Sequence, residues 1–181
     1  IVDESDDTVV VIAQASGATS GSVILTSSTG ATVTAENGWD YAEPAAVTGV
    51  SPANGQVGTL ATISGSNLLM GGSTIVQLTI DDFHVESIIS FTDSEIVVVI
   101  GDNQGRRQRR ASNGVFILMD TGATFVTTDD VVLFEYLELG SVSGVTPNEG
   151  QAGTRVEISG ARLLGGGTSF ESVVFGDVEM D

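Results

Sequence analysis

One feature constrains this chain more than any other: it repeats itself, and it does so out of phase. Gly49-Val50-Ser51-Pro52-Ala53-Asn54-Gly55-Gln56-Val57-Gly58-Thr59 returns 95 positions later as Gly144-Val145-Thr146-Pro147-Asn148-Glu149-Gly150-Gln151-Ala152-Gly153-Thr154. The match runs on through Ile63-Ser64-Gly65 and Ile158-Ser159-Gly160, Leu68-Leu69 and Leu163-Leu164, and Gly71-Gly72 and Gly166-Gly167. Across residues 49–72 and 144–167, 14 of 24 positions are identical, far above chance. A second match links residues 21–41 with residues 114–136. Together the two divide the chain into the second half of one repeat at 1–43, a whole repeat at 44–138, and the first half of another at 139–181.

The halves fit each other. Text running from Val174 to Asp181 and on through Ile1 to Ile12 reads like the stretch from Thr79 to Ile100, with a gap of about two residues in the joining loop. The spacing therefore predicts that residues 139–181 and 1–43 are complementary parts of one domain, supplied by another copy or by a continuing array. The chain opens Ile1-Val2-Asp3, with neither Met nor a basic-then-apolar leader, and reads as a segment processed or excerpted from something longer.

Each repeat reads as strands. The apolar runs are short and β-branched, as at Val9-Val10-Val11-Ile12, Ile96-Val97-Val98-Val99-Ile100 and Val173-Val174-Phe175. Turn residues separate them, among them Ser28-Thr29-Gly30, Asn37-Gly38 and Gly71-Gly72-Ser73. No stretch carries a 3.6-residue period with caps. The expected class is all-β, built of tandem sandwiches. Pro52 and Pro147 fix φ and interrupt pairing where a strand enters from a linker.

The pattern Val-x-Gly-Val-[Ser/Thr]-Pro-x-x-Gly-x-x-Gly-Thr, followed by Ile-Ser-Gly, Leu-Leu and the strand Val173-Val174-Phe175-Gly176, resembles the IPT/TIG family of plexins and transcription factors. The closing strands at Phe134-Glu135-Tyr136 and Trp39-Asp40-Tyr41 are similar to the family's last strand. The resemblance implies tandem immunoglobulin-like β-sandwiches of an extracellular or cell-surface protein. It implies a binding or structural role rather than catalysis.

Composition narrows the function classes. The formal charge is −18, from 24 acidic residues against 6 arginines, which opposes nucleic-acid binding. With no cysteine there is no disulfide, no zinc-thiolate site and no cysteine nucleophile. No apolar run approaches a membrane span, so no membrane insertion is expected. No Asn-x-Ser/Thr sequon is present. No nucleophile–base pair is identifiable, so an enzyme is not expected.

Four groups of residues are candidate sites. Asp3, Asp6 and Asp7 (with Glu4 between them) at one end, and Asp177, Glu179 and Asp181 at the other, would converge if the halves meet. Hard oxygen ligands suit calcium, while acids on a solvated strand edge are the plainer explanation. Arg106, Arg107, Arg109 and Arg110 hold four of the six basic residues. They read as a docking patch for an acidic neighbour, as a processing site cut after Arg110, or as a solvated loop tip. Asp129-Asp130 and Asp81-Asp82 are weaker calcium candidates than the terminal acids, and His84, between Asp82 and Glu86, lacks the partner a metal site needs. Trp39 and Tyr41 alternate on one strand and suit core packing or a carbohydrate platform.

The expected function is an extracellular structural protein. Copies join head to tail into a filament, with Val9, Val11, Val23, Leu25 and Val33 of one copy facing Val156, Ile158, Val173 and Phe175 of the next. The alternative is an excerpt of a long covalent array serving as an adhesin, stalk or receptor ectodomain, with other surface proteins or glycans as partners.

Overall fold

The computed structural model describes residues 1–14, 16, 20–81, 83–102, 114–127 and 134–180. The chain divides into two units, Ile1–Pro44 and Ala45–Asp181, and the described residues contain strands and turns but no helix. The all-β class expected from the short β-branched runs is the observed one, consistent with the immunoglobulin-like sandwich that the family resemblance implies.

The middle of the chain is a closed sandwich. Its strands are β5 (Ala46–Ser51), β6 (Asn54–Gly55), β7 (Leu60–Ser66), β8 (Ile75–Ile80), β9 (Phe83–His84), β10 (Ser87–Phe91), β11 (Glu95–Val99), β12 (Val115–Met119), β13 (Thr124–Val126) and β14 (Glu135–Tyr136). One four-stranded antiparallel sheet runs β10-β11-β7-β5 and the other runs β13-β12-β8-β9. Alternation decides which face is buried. Ala61 and Ile63 of β7, Ile96 and Val98 of β11, and Val115 and Ile117 of β12 point inward, while their neighbours stay at least partly exposed. The inward faces of both sheets meet in one cluster with Val50, Leu78, Ile80, Ile100 and Phe134. Each of the larger buried side chains contributes about 1.5–3 kcal/mol.

Each sheet is a junction of two hairpins. The pair β5–β7 meets β10–β11 along β7 and β11, with Ile63 opposite Ile96 and Ala61 opposite Val98. The pair β8–β9 meets β12–β13 along β8 and β12, with Ile80 opposite Val115 and Leu78 opposite Ile117. The first half of the repeat supplies one hairpin to each sheet, and the second half supplies the other.

Residues 139–180 carry two hairpins that match β5–β7 and β8–β9. Strands β15 (Ser141–Thr146) and β16 (Glu157–Ala161) pair with Val145 opposite Ile158, as Val50 lies opposite Ile63, and the register shift between Val142 and Gly144 repeats that between Val47 and Gly49. Strands β17 (Val173–Phe175) and β18 (Val178–Met180) pair with Phe175 opposite Val178, as Ile80 lies opposite Phe83. The turns repeat too. Gly58 and Gly153 share φ 86°, and Asn67 and Arg162 lie at φ 53° and 50°. A Cβ at Gly65 would strike the Ala46 carbonyl, and one at Gly160 the Ser141 carbonyl, so close strand approach holds both positions to glycine.

Residues 1–44 carry two hairpins that match β10–β11 and β12–β13. Strands β1 (Asp3–Glu4) and β2 (Val9–Val10) form one hairpin, and β3 (Ser20–Thr26) and β4 (Thr32–Asp40) form another. The turn between β1 and β2 is held by Ser5, whose hydroxyl accepts the Thr8 N–H at 3.0 Å. Thr92 holds the β10–β11 turn in the same way, accepting the Glu95 N–H at 3.1 Å. Val9 therefore stands where Ile96 stands, and Val11 where Val98 stands.

The β3–β4 hairpin corrects the sequence match by one residue. Aligning Gly21 with Gly114 would place Val23 and Leu25 with Phe116 and Leu118, which face outward. The turn decides otherwise: Gly30 at φ 86° matches Gly122 at φ 83°, and Thr26 opposite Thr32 matches Leu118 opposite Thr124. Val23 and Leu25 thus occupy the positions of Val115 and Ile117, and both face inward. A one-residue slip exchanges the two faces of a strand, so this register matters to everything built on it.

Candidate functional site

The candidate site is the pair of uncovered sandwich faces, one in each terminal segment. Val9, Val11, Val23 and Leu25 stand at the positions of Ile96, Val98, Val115 and Ile117, all four of which are fully buried in the middle sandwich. In their own segment they are exposed, Val11 by 60%. Val33 stands at the position of Phe125, which packs against the middle core. Val156, Ile158, Val173 and Phe175 stand at the positions of Ala61, Ile63, Leu78 and Ile80, again all buried. Phe175 is 37% exposed, and Val156, Ile158 and Val173 are half-buried. Large apolar surface left open at strand edges is unfavourable in water.

An apolar groove marks the face in residues 1–44. It measures about 330 Å³ and is lined by Val11, Ala13, Gly21, Ser22, Val23, Trp39 and Tyr41. Trp39 and Tyr41 meet edge to face, with ring centroids 5.8 Å apart and planes at 82°. Phe134 and Tyr136 make the same contact at 5.1 Å and 81°. Phe134 is fully buried whereas Trp39 is 48% exposed. The core-packing expectation for Trp39 describes its counterpart, not Trp39 in this chain.

The acidic residues are placed but not gathered. Asp3, Asp6 and Asp7 are exposed around the β1–β2 turn, and Asp177 and Glu179 are exposed around the β17–β18 turn. Among the described residues no group of three acidic or histidine side chains has metal-holding geometry, and Asp181 lies outside them. His84 is exposed on β9, with its strand partner at Thr79. Asp82, Arg106, Arg107, Arg109, Arg110, Asp129 and Asp130 lie outside the described residues. Both the arginine docking patch and the cleavage reading fall there.

Two groups missed by the sequence reading have shifted titrations. The Ser73 hydroxyl and N–H donate to the Asp120 carboxylate at 2.6 and 3.0 Å, holding its carboxyl below the usual range. Burial, with Asp81 and Asp102 nearby, pushes the Tyr136 hydroxyl from its usual 10.0 up to about 12. A folded-state pKa above the unfolded one adds stability that is complete below pH 10 and disappears as pH rises toward 12. Chemical denaturation at stepped pH should show the middle sandwich weakening across that window, and Tyr136→Phe should flatten the decline. An unchanged slope in the variant would remove Tyr136 as its cause.

A polar clamp fixes the start of residues 139–180 against the middle sandwich. The Gln56 side-chain amide donates to the Glu138 carbonyl at 2.8 Å and accepts the Gly140 N–H at 3.2 Å. Arg162 pairs with Glu138 at 3.2 Å and donates to the Leu139 carbonyl at 3.2 Å. Sequence offered one clue to the clamp: Gln56 and Gln151 occupy matched positions of the repeat.

The family model of the IPT/TIG domain matches residues 45–134. The chain is similar to an auxiliary nutrient binding protein from Bacteroides ovatus, at 19% identity and a TM-score of 0.40, over 56% of this chain and 22% of that one. It is also similar to the full extracellular region of plexin A4, at 19% identity and a TM-score of 0.44, over 63% of this chain and 9% of that one. The chain thus spans less than a quarter of the length of either protein. No curated protein matches it.

Proposed function

Residues 45–134 form an IPT/TIG domain, and from that premise we propose that this chain is an extracellular structural protein whose copies join head to tail into a string of immunoglobulin-like sandwiches. One observation carries the proposal. The terminal segments hold the same four hairpins that the middle domain joins in pairs, two in residues 1–44 and two in residues 139–180. Put together, they supply each position of both large sheets once and none twice.

The contact is heterologous, so each copy keeps one free end and growth continues. Joining two halves of a domain core resembles an obligate interface, which buries on the order of 2,000–5,000 Å². Nothing in the sandwich suggests catalysis, and no cofactor enters this reading. Acidic residues lie at both joining faces, so added salt should favour association by screening them.

Sedimentation of the purified chain over a range of concentrations tests the proposal, with electron microscopy of the same samples. The expected result is species that lengthen with concentration in steps of the 18.6 kDa chain. A monomer at every concentration would overturn it. The covalent array is the second reading, favoured by the same hairpin equivalence, because a continuous chain would place the same partners side by side. A denaturing gel of native material separates the two: a band near 18.6 kDa supports assembly, and only very large species support the array.

A further inference from the structure

The middle domain also dictates how the halves must meet, and this step rests on the head-to-tail reading above. We infer that a second copy docks along two strands at once, β16 antiparallel to β2 and β17 antiparallel to β3, with Asp6 capping the turn of the incoming half.

The register follows from matched hairpins. Ile96 lies opposite Ile63 and Val98 opposite Ala61, which places Val9 opposite Ile158 and Val11 opposite Val156. In the other sheet Val115 lies opposite Ile80 and Ile117 opposite Leu78, which places Val23 opposite Phe175 and Leu25 opposite Val173. Both sheets bring an inward residue to an inward residue. A slip of one position in either would turn an apolar row toward water.

Asp6 stands where Asp93 stands. In the middle domain the Asp93 carbonyl accepts the Leu68 N–H at 3.0 Å, and its carboxylate accepts the Leu69 N–H at 3.1 Å. The turn receiving those bonds recurs in residues 162–167: Gly165 N–H donates to the Arg162 carbonyl as Met70 N–H donates to that of Asn67. Asp6 therefore accepts the Leu164 N–H of the second copy. This assigns Asp6 to a backbone cap rather than to calcium.

Cysteine pairs read the register, because the chain has none of its own. The double variant Val11→Cys with Val156→Cys brings two inward thiols within disulfide reach across the strands. Oxidised and run without reductant on a denaturing gel, it should give a ladder in multiples of 18.6 kDa that reductant collapses. Val11→Cys with Glu157→Cys, which sets the thiols on opposite faces, should give almost none. Assemblies by sedimentation that ladder only in this second variant, or in neither, would overturn the register and leave the filament standing. No assembly in any variant would overturn the filament itself. A fast-migrating cross-linked monomer would mean closure within one chain and would overturn the second copy as partner. Independently, Asp6→Ala should weaken association about fivefold, the size of a lost backbone cap, even though it removes a repelling charge, and unchanged or tighter association would overturn the cap. Dissociation of the wild-type assembly by a calcium chelator would overturn the cap.

Discussion

Phe175→Asp is expected to abolish assembly while leaving the middle sandwich as stable as before. Phe175 stands at the position of Ile80, which is fully buried in the middle core. In the joined sandwich the new carboxylate would enter the same kind of core with no partner. Burying an unpaired charge costs several kcal/mol even after the surroundings relax. At about 4 kcal/mol, association falls by about a thousandfold, enough to hold the chain as a monomer at micromolar concentration. The middle sandwich should melt unchanged, because its buried cluster contains no residue of β17. Glu171→Ala is the control: its counterpart Val76 is 61% exposed, so it should leave assembly intact. Assembly that survives Phe175→Asp would mean that β17 is not at the junction.

Much of this was legible in the sequence, and the reasons can be named. The all-β class follows from short β-branched runs. By hairpin register, eight of the nine aliphatic and aromatic positions expected at a junction match buried positions of the middle sandwich, and Val33 matches the half-buried Phe125. For Val23 and Leu25, however, the match of Gly21 to Gly114 pointed to the wrong face. Sequence similarity weighed the glycine pair, whereas the chain obeys the turn at Gly30, where φ is 86°. Turn geometry sets hairpin register, and it is weakly written in residue identity. The role given to Asp6 was unreadable for a different reason. Its partner is a backbone N–H, which any residue supplies, so no pattern of side chains announces it. The Gln56 clamp was hidden likewise, since both its partners are main-chain groups.

The largest contrast in behaviour should come from one position sampled twice. Phe134 and Trp39 occupy matched sites, each edge to face with a tyrosine two residues on. Phe134 is sealed in a finished core, so Phe134→Ala removes its burial and leaves a cavity, at a cost of about 3–5 kcal/mol. Against a domain stability of about 5–15 kcal/mol, that lowers the melting midpoint by more than about 10 °C. Trp39 has no finished core around it, so Trp39→Ala should leave the melting of the middle sandwich unmoved in dilute solution. Its cost should appear only on joining, as association weakened by a hundredfold or more, about 3 kcal/mol of the same burial term. Calorimetry of both variants, each beside sedimentation, reads the two effects separately. A carbohydrate platform at Trp39 predicts the opposite division, in which Trp39→Ala loses glycan binding and assembles normally. Equal loss of midpoint in both variants would show that Trp39 already sits in a closed core within its own chain, and the open face would then have no need of a second copy.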